Sequence, residues 1–293
     1  MFNIILLGIT SFLTDISSEM VYPILPIFLV STLGASPAIL GLVEGIAESL
    51  ASLMKVFSGY WSDRIAKRKP FAIFGYFSST VGKLILFIAA SWPYVLVARV
   101  IDRFGKGMRT APRDALIAES SSEGKRGAAF GLHRAMDTAG AAIGALTAYF
   151  LITGFKENLR SVFLFSLVPA FLGVTVLFFV REKKSAPAAV SRKLEFRWHA
   201  LDKRLKLFLI FTFIFTLGNS SNQFMLLRAK NMGSGIGEVI LMYLVYNIVY
   251  ASVAYPASRL SDTIGRKKLL VAGYLFYGLV YLGFAVNQSA LSL

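Results

Sequence analysis

The stretch GYWSDRIAKRKPFAIFGY at residues 59–76 has a counterpart near the other end of the chain, SRLSDTIGRKKLLVAGY at residues 258–274. Each copy reads Ser-Asp, then a basic cluster, then Gly-Tyr inside the apolar run that follows. The two aspartates, Asp63 and Asp262, are 199 residues apart. A match of this length at the two ends of an apolar chain indicates an internal duplication.

The chain between and around the two copies consists of apolar runs that are long enough to cross a bilayer as helices. Hydrophobic residues make up 56% of the chain and charged residues only 16%, and the mean hydropathy is +0.63, which excludes an ordinary soluble domain. The predicted fold class is therefore an all-α, polytopic helical membrane protein. The nine predicted spans are residues 4–31, 37–60, 70–90, 92–111, 127–152, 161–180, 205–227, 237–258 and 268–288.

A second sequence match, at a similar separation along the chain, is between Ser17-Ser18-Glu19 and Ser220-Ser221-Asn222. Because six spans separate the two units, both begin on the same side of the membrane, so the repeats are parallel and related by an axis along the membrane normal. We expect an N-terminal six-helix bundle at residues 1–180, a cytoplasmic linker at 181–204, and the first three helices of a second bundle at 205–293.

The net charge of +15 would suit a nucleic-acid binder, but the basic residues stand between apolar runs and form no stripe, so no nucleic-acid partner is expected. Connections after even-numbered spans hold 20 Lys and Arg, against four after odd-numbered spans. The positive-inside rule then places the N-terminus in the cytoplasm and predicts a multi-pass plasma membrane protein.

Cysteine is absent and histidine occurs twice, which argues against disulfides, thiolate catalysis and zinc sites. Neither a nucleophile elbow nor a phosphate-binding loop is present. We therefore expect no enzyme activity, no metal and no cofactor, and a protein that is monomeric in the lipid bilayer.

The duplicated loop resembles the signature of the major facilitator superfamily, which is Gly, two or three residues, Asp-Arg, then Gly and a basic run. In the first copy Ala66 stands where that signature has its second Gly; in the second copy Gly265 keeps it. The first copy matches at Gly59, Asp63, Arg64, Lys67, Arg68 and Lys69, and the second at Asp262, Gly265, Arg266 and Lys267.

Two further motifs carry the resemblance. Span four has Arg103, with Lys106 where the family commonly has Gln. Span five has Gly131, Gly140 and Gly144, which is the glycine spacing of the antiporter motif, although Ala145 stands where that motif has Pro.

The resemblance implies a secondary transporter with twelve helices in two halves. We therefore expect a chain truncated after the ninth helix, lacking helices ten to twelve. It also implies that the aspartate of each loop contacts a helix of the opposite half: Asp262 the fifth helix, and Asp63 the missing eleventh.

Charges inside a membrane are costly unless they are paired or line water. Asp15 and Glu19 share one face of span one, and Arg99, Arg103 and Lys106 share one face of span four. The resemblance implies that these faces meet around the substrate path, with Arg103 paired to one of the two acids. Burial favours a neutral carboxylate and a nearby cation favours a charged one, so a proton arriving at either acid can release Arg103.

The remaining charged residues of the spans are expected to serve mainly in helix packing. Glu44 and Glu48, four residues apart on span two, are expected to serve structure more than function, and Lys55 and Lys83 are expected to snorkel or to pair structurally. The same holds for His133, near the start of span five.

Span seven carries a run of neutral polar residues, of which Asn219, Asn222 and Gln223 are candidates either for binding substrate or for bonding between helices. The leading hypothesis is a proton-coupled transporter that exports a small organic molecule by alternating access. Two alternatives stay open: uptake or exchange of an organic anion, and a non-transporting fragment or membrane interaction protein.

Overall fold

The computed structural model describes residues 2–122, 126–155, 158–182 and 198–286. Within these residues the helices correspond one to one with the nine predicted spans, which confirms the all-helical membrane fold. They are α1 (Phe2–Val21), α2 (Pro37–Ile65), α3 (Lys69–Ile88), α4 (Trp92–Ser120), α5 (Arg126–Gly154), α6 (Leu159–Leu177), α7 in two pieces, α7a (Lys203–Gly218) and α7b (Asn222–Asn231), α8 (Ile236–Ile264) and α9 (Arg266–Val286).

The first span bends where its prolines predict. α1 ends at Val21, and the chain continues through a short turn at Leu25–Ile27 and a π-helical turn at Phe28–Thr32. Pro23 and Pro26 have no N–H to donate to the preceding turn, which explains why the regular helix stops before them.

The seventh span is broken, and the prediction of one continuous helix at residues 205–227 was wrong in this respect. α7a ends at Gly218 and α7b begins at Asn222, with Ser221 as its N-cap. The Ser221 hydroxyl accepts a hydrogen bond from the Gln223 N–H at 3.3 Å. Short polar side chains compete for backbone groups in this way, so the polar run ends one helix and starts another.

The helices pack with alternating direction, so the bundle has two ends. We call the end where α1 begins the proximal end and the end where α1 finishes the distal end. α1 packs against α5 and α6, α4 packs against α2 and α3, and α3 also packs against α6, while α8 joins this group through α5. By length and composition alone five of the described helices qualify as membrane spans, and α4 is not among them because it carries many charges.

The hydrophobic core shows how the first six helices meet the rest. A large cluster at the distal end combines residues of α1, α2 and α5 with Leu226 and Leu227 of α7b and Val239 and Ile240 of α8. A second cluster near the proximal end is formed entirely from the first six helices and residue Val180 among the described residues. The two parts of the molecule are therefore packed together at the distal end.

Candidate substrate cavity

A polar cavity of about 250 Å³ lies in the centre of the bundle, between α1, α2, α3, α4 and α8. Asp15 and Glu19 reach it from α1, and Arg99, Arg103 and Lys106 reach it from α4, so the two predicted faces do meet. We call it the charged cavity. Its lining residues are Asp15, Ser18, Glu19, Val21, Tyr22, Glu48, Lys83, Leu86, Arg99, Asp102, Arg103, Lys106, Arg109 and Tyr243.

Two arginines of the cavity form ion pairs with glutamates of α2, and not with the acids of α1. Arg99 binds Glu44 with two hydrogen bonds, Nε to Oε1 at 2.7 Å and Nη2 to Oε2 at 2.9 Å, and both side chains are 5% exposed. One turn further, Arg103 Nε lies 2.9 Å from Glu48 Oε1, a contact that is an ion pair but not an aligned hydrogen bond. Asp102 also lies 3.4 Å from Arg99.

This arrangement corrects the expected pairing of Arg103 with Asp15 or Glu19. Residues four apart on α2 match residues four apart on α4, so two tightly packed helices form a ladder of two ion pairs. Arg103 faces α2 because α2 and α4 pack along much of their lengths. The equal spacing of the two acids and the two arginines was visible in the sequence and could have suggested the ladder.

Three other cations of the cavity have no carboxylate within 4.0 Å among the described residues: Lys83, Lys106 and Arg109. The Lys83 ammonium donates to the Ser18 hydroxyl at 3.2 Å. Arg109 donates to the Ser79 hydroxyl, and its guanidinium lies 4.4 Å from the centre of the Tyr76 ring. Lys83 and Arg109 are buried, which excludes snorkelling, one of the two roles expected of Lys83, and leaves the other, structural pairing, here with a hydroxyl.

The two acids of α1 are likewise without a basic partner within 4.0 Å among the described residues. Glu19 instead accepts a hydrogen bond from the hydroxyl of Tyr243 on α8, and Tyr243 packs on Tyr22 with ring centres 5.3 Å apart. Asp15 also lines a second cavity, of about 350 Å³, which continues toward the proximal end past Arg113 and Arg134.

The polar residues of the broken α7 lie apart from the charged cavity. Asn219 accepts a hydrogen bond from Tyr277 on α9, and Asn222 donates to the Tyr246 hydroxyl on α8 at 3.2 Å. Both therefore bond between helices. Gln223 is fully buried, and its amide oxygen and nitrogen have no partner among the described residues.

The glycines of α5 divide into two groups. A Cβ atom at Gly140 would lie 2.5 Å from the Phe12 carbonyl oxygen, and one at Gly144 would overlap the Ile16 carbonyl oxygen. These two glycines let α5 contact the backbone of α1 next to Asp15 and Glu19. Gly131 has open space around it, so it makes no such contact.

The first loop motif is tied to its own half of the protein. Arg68 forms ion pairs with Asp63, at 2.9 Å, and with Glu119 at the end of α4, and its backbone N–H donates to Glu182. The Lys69 ammonium donates to two carbonyl oxygens just after α6, those of residues 178 and 180, at 2.8 and 2.7 Å. Arg68 thus connects α2 and α4 with the beginning of the predicted linker.

The other residues of this motif lie at the surface or in close packing. Arg64 and Lys67 are exposed, and a Cβ atom at Gly59 would lie 3.3 Å from the Ala111 Cβ of α4. In the second copy Lys267 is exposed, and the side chains of Asp262 and Arg266 lie outside the described residues. The predicted linker, residues 181–204, falls mostly outside them too.

The two motif copies share one backbone feature although different residues, Ala66 and Gly265, occupy the position. Ala66 has a φ of 54° and caps the end of α2 in the left-handed conformation, and Gly265, three residues after Asp262, has a φ of 91°. Both copies therefore end the helix with a left-handed residue three positions after the aspartate. Glycine adopts that conformation without strain, whereas alanine does not.

Four contributors to the site were missed or undervalued from the sequence: Glu48, Lys83, Arg109 and Tyr243. Three of them are membrane-embedded charges, a signal the sequence does carry. Tyr243 gave no signal, because a tyrosine in an apolar helix is common and only the fold places it against Glu19.

The described residues thus define a helical membrane protein with a central charged cavity of solute size, the architecture of secondary transporters. The Major Facilitator Superfamily profile matches residues 7–292, and the chain belongs to this family. It is a family of transporters, not of enzymes, whose members act in the lipid bilayer on small molecules.

Relatives and solved structures agree with this assignment. The chain is 42% identical to an uncharacterized MFS-type transporter of Methanocaldococcus jannaschii, over 99% of this chain and 74% of the relative. It is 26% identical to multidrug resistance protein MdtH of Photorhabdus laumondii, over 88% of this chain and 64% of that relative. A D-xylose-proton symporter of known structure superposes with a TM-score of 0.74 at 17% identity, over 99% of this chain and 77% of the symporter, a likeness that concerns the fold alone.

Proposed function

We propose that the chain forms the proton-coupled substrate pathway of a secondary transporter that moves a small organic molecule by alternating access. The observation that carries the proposal is the charged cavity, in which Asp15 and Glu19 have no basic partner within 4.0 Å among the described residues. Acids in such a position can gain and lose a proton without first breaking an ion pair.

The proposed cycle starts from a state closed at the distal end. The distal core joins α7b and α8 to the first six helices, and the bond from Tyr243 to Glu19 lies at its edge. The protein is proposed to lie in the plasma membrane with its proximal end on the cytoplasmic side, because the even-numbered connections carry most of the basic residues. The cavity would then load from the cytoplasm. Residues 1–180 would rock as one bundle against the helices after the linker, in a monomer.

Export is the proposed direction. It is supported by the name of the multidrug resistance relative and by the two glycines of α5, Gly140 and Gly144, that bring α5 against the acids of α1. A second candidate, uptake or exchange of an organic anion, is favoured by the three cations that lack a carboxylate partner, Lys83, Lys106 and Arg109.

The test is proton movement in proteoliposomes that contain an internal pH-sensitive dye. A panel of organic acids, amino acids, sugars and cationic dyes is added outside, and each compound is scored for a protein-dependent change of internal pH. Asp15→Asn and Glu19→Gln keep the shape of each side chain and remove its charge. We expect a compound that moves protons through the native chain, and loss of that signal in at least one variant.

The sign of the pH change distinguishes exchange from co-transport, because an exchanger moves protons out of the liposome as substrate enters, whereas a co-transporter moves both inward. Exchange supports export driven by an inward proton gradient. Unchanged proton movement in both variants would remove Asp15 and Glu19 from the pathway. If no compound in the panel moves protons or is itself transported, the non-transporting alternative gains support instead.

A further inference from the structure

The charged cavity contains a positive subsite that the ion-pair ladder leaves free. Of its five cations, Arg99 and Arg103 are bound to Glu44 and Glu48. Lys83, Lys106 and Arg109 line the same cavity from α3 and α4. Lys83 and Arg109 donate to neutral hydroxyl oxygens, and Arg109 also lies over the Tyr76 ring. The Lys106 ammonium has neither an ion pair nor a hydrogen bond within the described part of the chain.

Keeping three cations together without carboxylates is costly inside a membrane. Asp102 lies in the same cavity, but it is beyond 4.0 Å from all three and already pairs with Arg99 at 3.4 Å. The further charge that offsets them comes from Asp15 and Glu19, which also lie in this cavity beyond 4.0 Å, or from a ligand. From this we infer that the substrate is a compact anion, such as a carboxylate or a phosphate ester, whose negative group binds between Lys83, Lys106 and Arg109. The inference rests on the second candidate of the proposed function, transport of an organic anion, and names the kind of anion that it would carry.

The lining of the cavity fits a small anion better than a lipophilic drug. Drug-sized ligands occupy mostly apolar pockets. The charged cavity, of about 250 Å³, adjoins the second cavity of about 350 Å³ at Asp15 and Glu19, and most of its lining residues are charged or hydroxylated. Apolar surface is limited to its distal side, where Val21, Tyr22 and Leu86 lie.

An anion at this subsite would compete with the charge of Asp15. The ionisable groups that act on Asp15 are Glu19 on its own helix, Arg109 and Arg113 on α4, Asp137 on α5, and Lys83 on α3. α6 adds none, since its one charged residue, Arg160, bonds to carbonyl oxygens of residues 87 and 89 at the distal end. Neutralising Asp15 by protonation removes a competing negative charge, so protonation should strengthen anion binding. This coupling is the one expected of the second candidate function, uptake of an anion together with a proton.

Binding can be measured without knowing the natural substrate. The purified chain is titrated with inorganic phosphate, sulfate and succinate at constant ionic strength, and with tetraphenylphosphonium as a lipophilic cation, using calorimetry and thermal unfolding. The variants are Lys106→Gln, Arg109→Gln and Asp15→Asn. The control is Lys203→Gln, which removes an equal charge from an exposed position on α7a.

We expect at least one of the three anions to bind and tetraphenylphosphonium not to bind. Lys106→Gln and Arg109→Gln should each weaken anion binding about tenfold, the factor that corresponds to 1.4 kcal/mol. Asp15→Asn should strengthen anion binding at neutral pH and reduce its dependence on pH. Opposite effects of the two kinds of variant cannot come from general damage to the fold.

The inference fails if tetraphenylphosphonium binds and the anions do not, or if Lys203→Gln weakens anion binding as much as Lys106→Gln. Failure of the proposed function gives a different result, because anions would then bind with the expected variant pattern while no compound drove proton movement in liposomes. Proton-driven flux of a cation without anion binding would leave the proposed function standing and remove only the substrate class.

Discussion

The two rungs of the ladder between α2 and α4 should differ strongly in their contribution to stability. Glu44 and Arg99 are each 5% exposed and share two hydrogen bonds, whereas the Glu48 side chain is 53% exposed. Glu44→Gln would leave the charge of Arg99 buried with Asp102 at 3.4 Å as its remaining acid. Breaking a buried pair costs about 3 to 5 kcal/mol, and because Asp102 compensates in part we expect about 3 kcal/mol.

Glu48→Gln breaks a pair whose acid is about half exposed, and pairs with an exposed partner contribute about 0 to 1 kcal/mol. At roughly 2 to 4 °C per kcal/mol, Glu44→Gln should lower the unfolding midpoint by about 6 to 12 °C and Glu48→Gln by at most about 4 °C. The midpoints are obtained in mild detergent, from the monodisperse fraction that survives heating on a size-exclusion column.

A double variant separates two contributions to the lost stability: the unpaired buried charge of Arg99 and the lost contact between the two side chains. Replacing both Glu44 and Arg99 by leucine removes the charge that Glu44→Gln strands, so most of the lost stability should return. Equal midpoints for Glu44→Gln and Glu48→Gln would refute the argument from burial. A double variant no more stable than Glu44→Gln would refute the argument from the stranded charge.

Three further predictions concern the packing and the closure. Ala66→Gly should stabilise the protein by about 1 kcal/mol, because glycine relieves the left-handed strain at the end of α2, and it is measured by the same unfolding assay. Gly144→Ala should destabilise by about 1 to 3 kcal/mol by pushing α5 from α1, whereas Gly131→Ala, in open space on the same helix, should be neutral or stabilising. Tyr243→Phe removes the hydrogen bond to Glu19 and should loosen the distal closure. The assay uses a cysteine introduced at Gly41, which faces Phe224 of α7b, and this cysteine should react faster with a membrane-impermeant maleimide.

The helices were predictable because each depends on a local property. A run of about 20 apolar residues has one stable form in a bilayer, and Pro23 ends the regular helix α1. Proline alone does not decide a helix end, since Pro112, Pro169 and Pro256 lie inside α4, α6 and α8. The break in α7 was harder to foresee, since the same polar run can stay helical when neighbours satisfy it. Ser17 and Ser18 do so in unbroken α1, where the Ser17 hydroxyl donates to the Ser166 carbonyl at 2.6 Å.

The cavity was predictable in outline and not in its pairing. Spacing along one helix shows which residues share a face. The family resemblance implied that the faces of α1 and α4 meet, and Asp15, Glu19, Arg103 and Lys106 do line one cavity. The spacing does not give the rotation of one helix about its axis relative to the next. That rotation, set by packing over the whole length of α2 and α4, decides that Arg103 faces Glu48. The roles of these residues in binding stay predictions.

The contact between Glu19 and Tyr243 links the chemistry of the cavity to the closure of the distal end. Glu19 lines the charged cavity on α1, and its partner belongs to α8, on the other side of the linker. A hydrogen bond to a charged carboxylate is about twice as strong as one to a neutral acceptor. A proton that neutralises Glu19 would therefore change the charge of the cavity and weaken a bond between the two parts in the same event. Binding and gating need no long pathway between them when one carboxylate takes part in both.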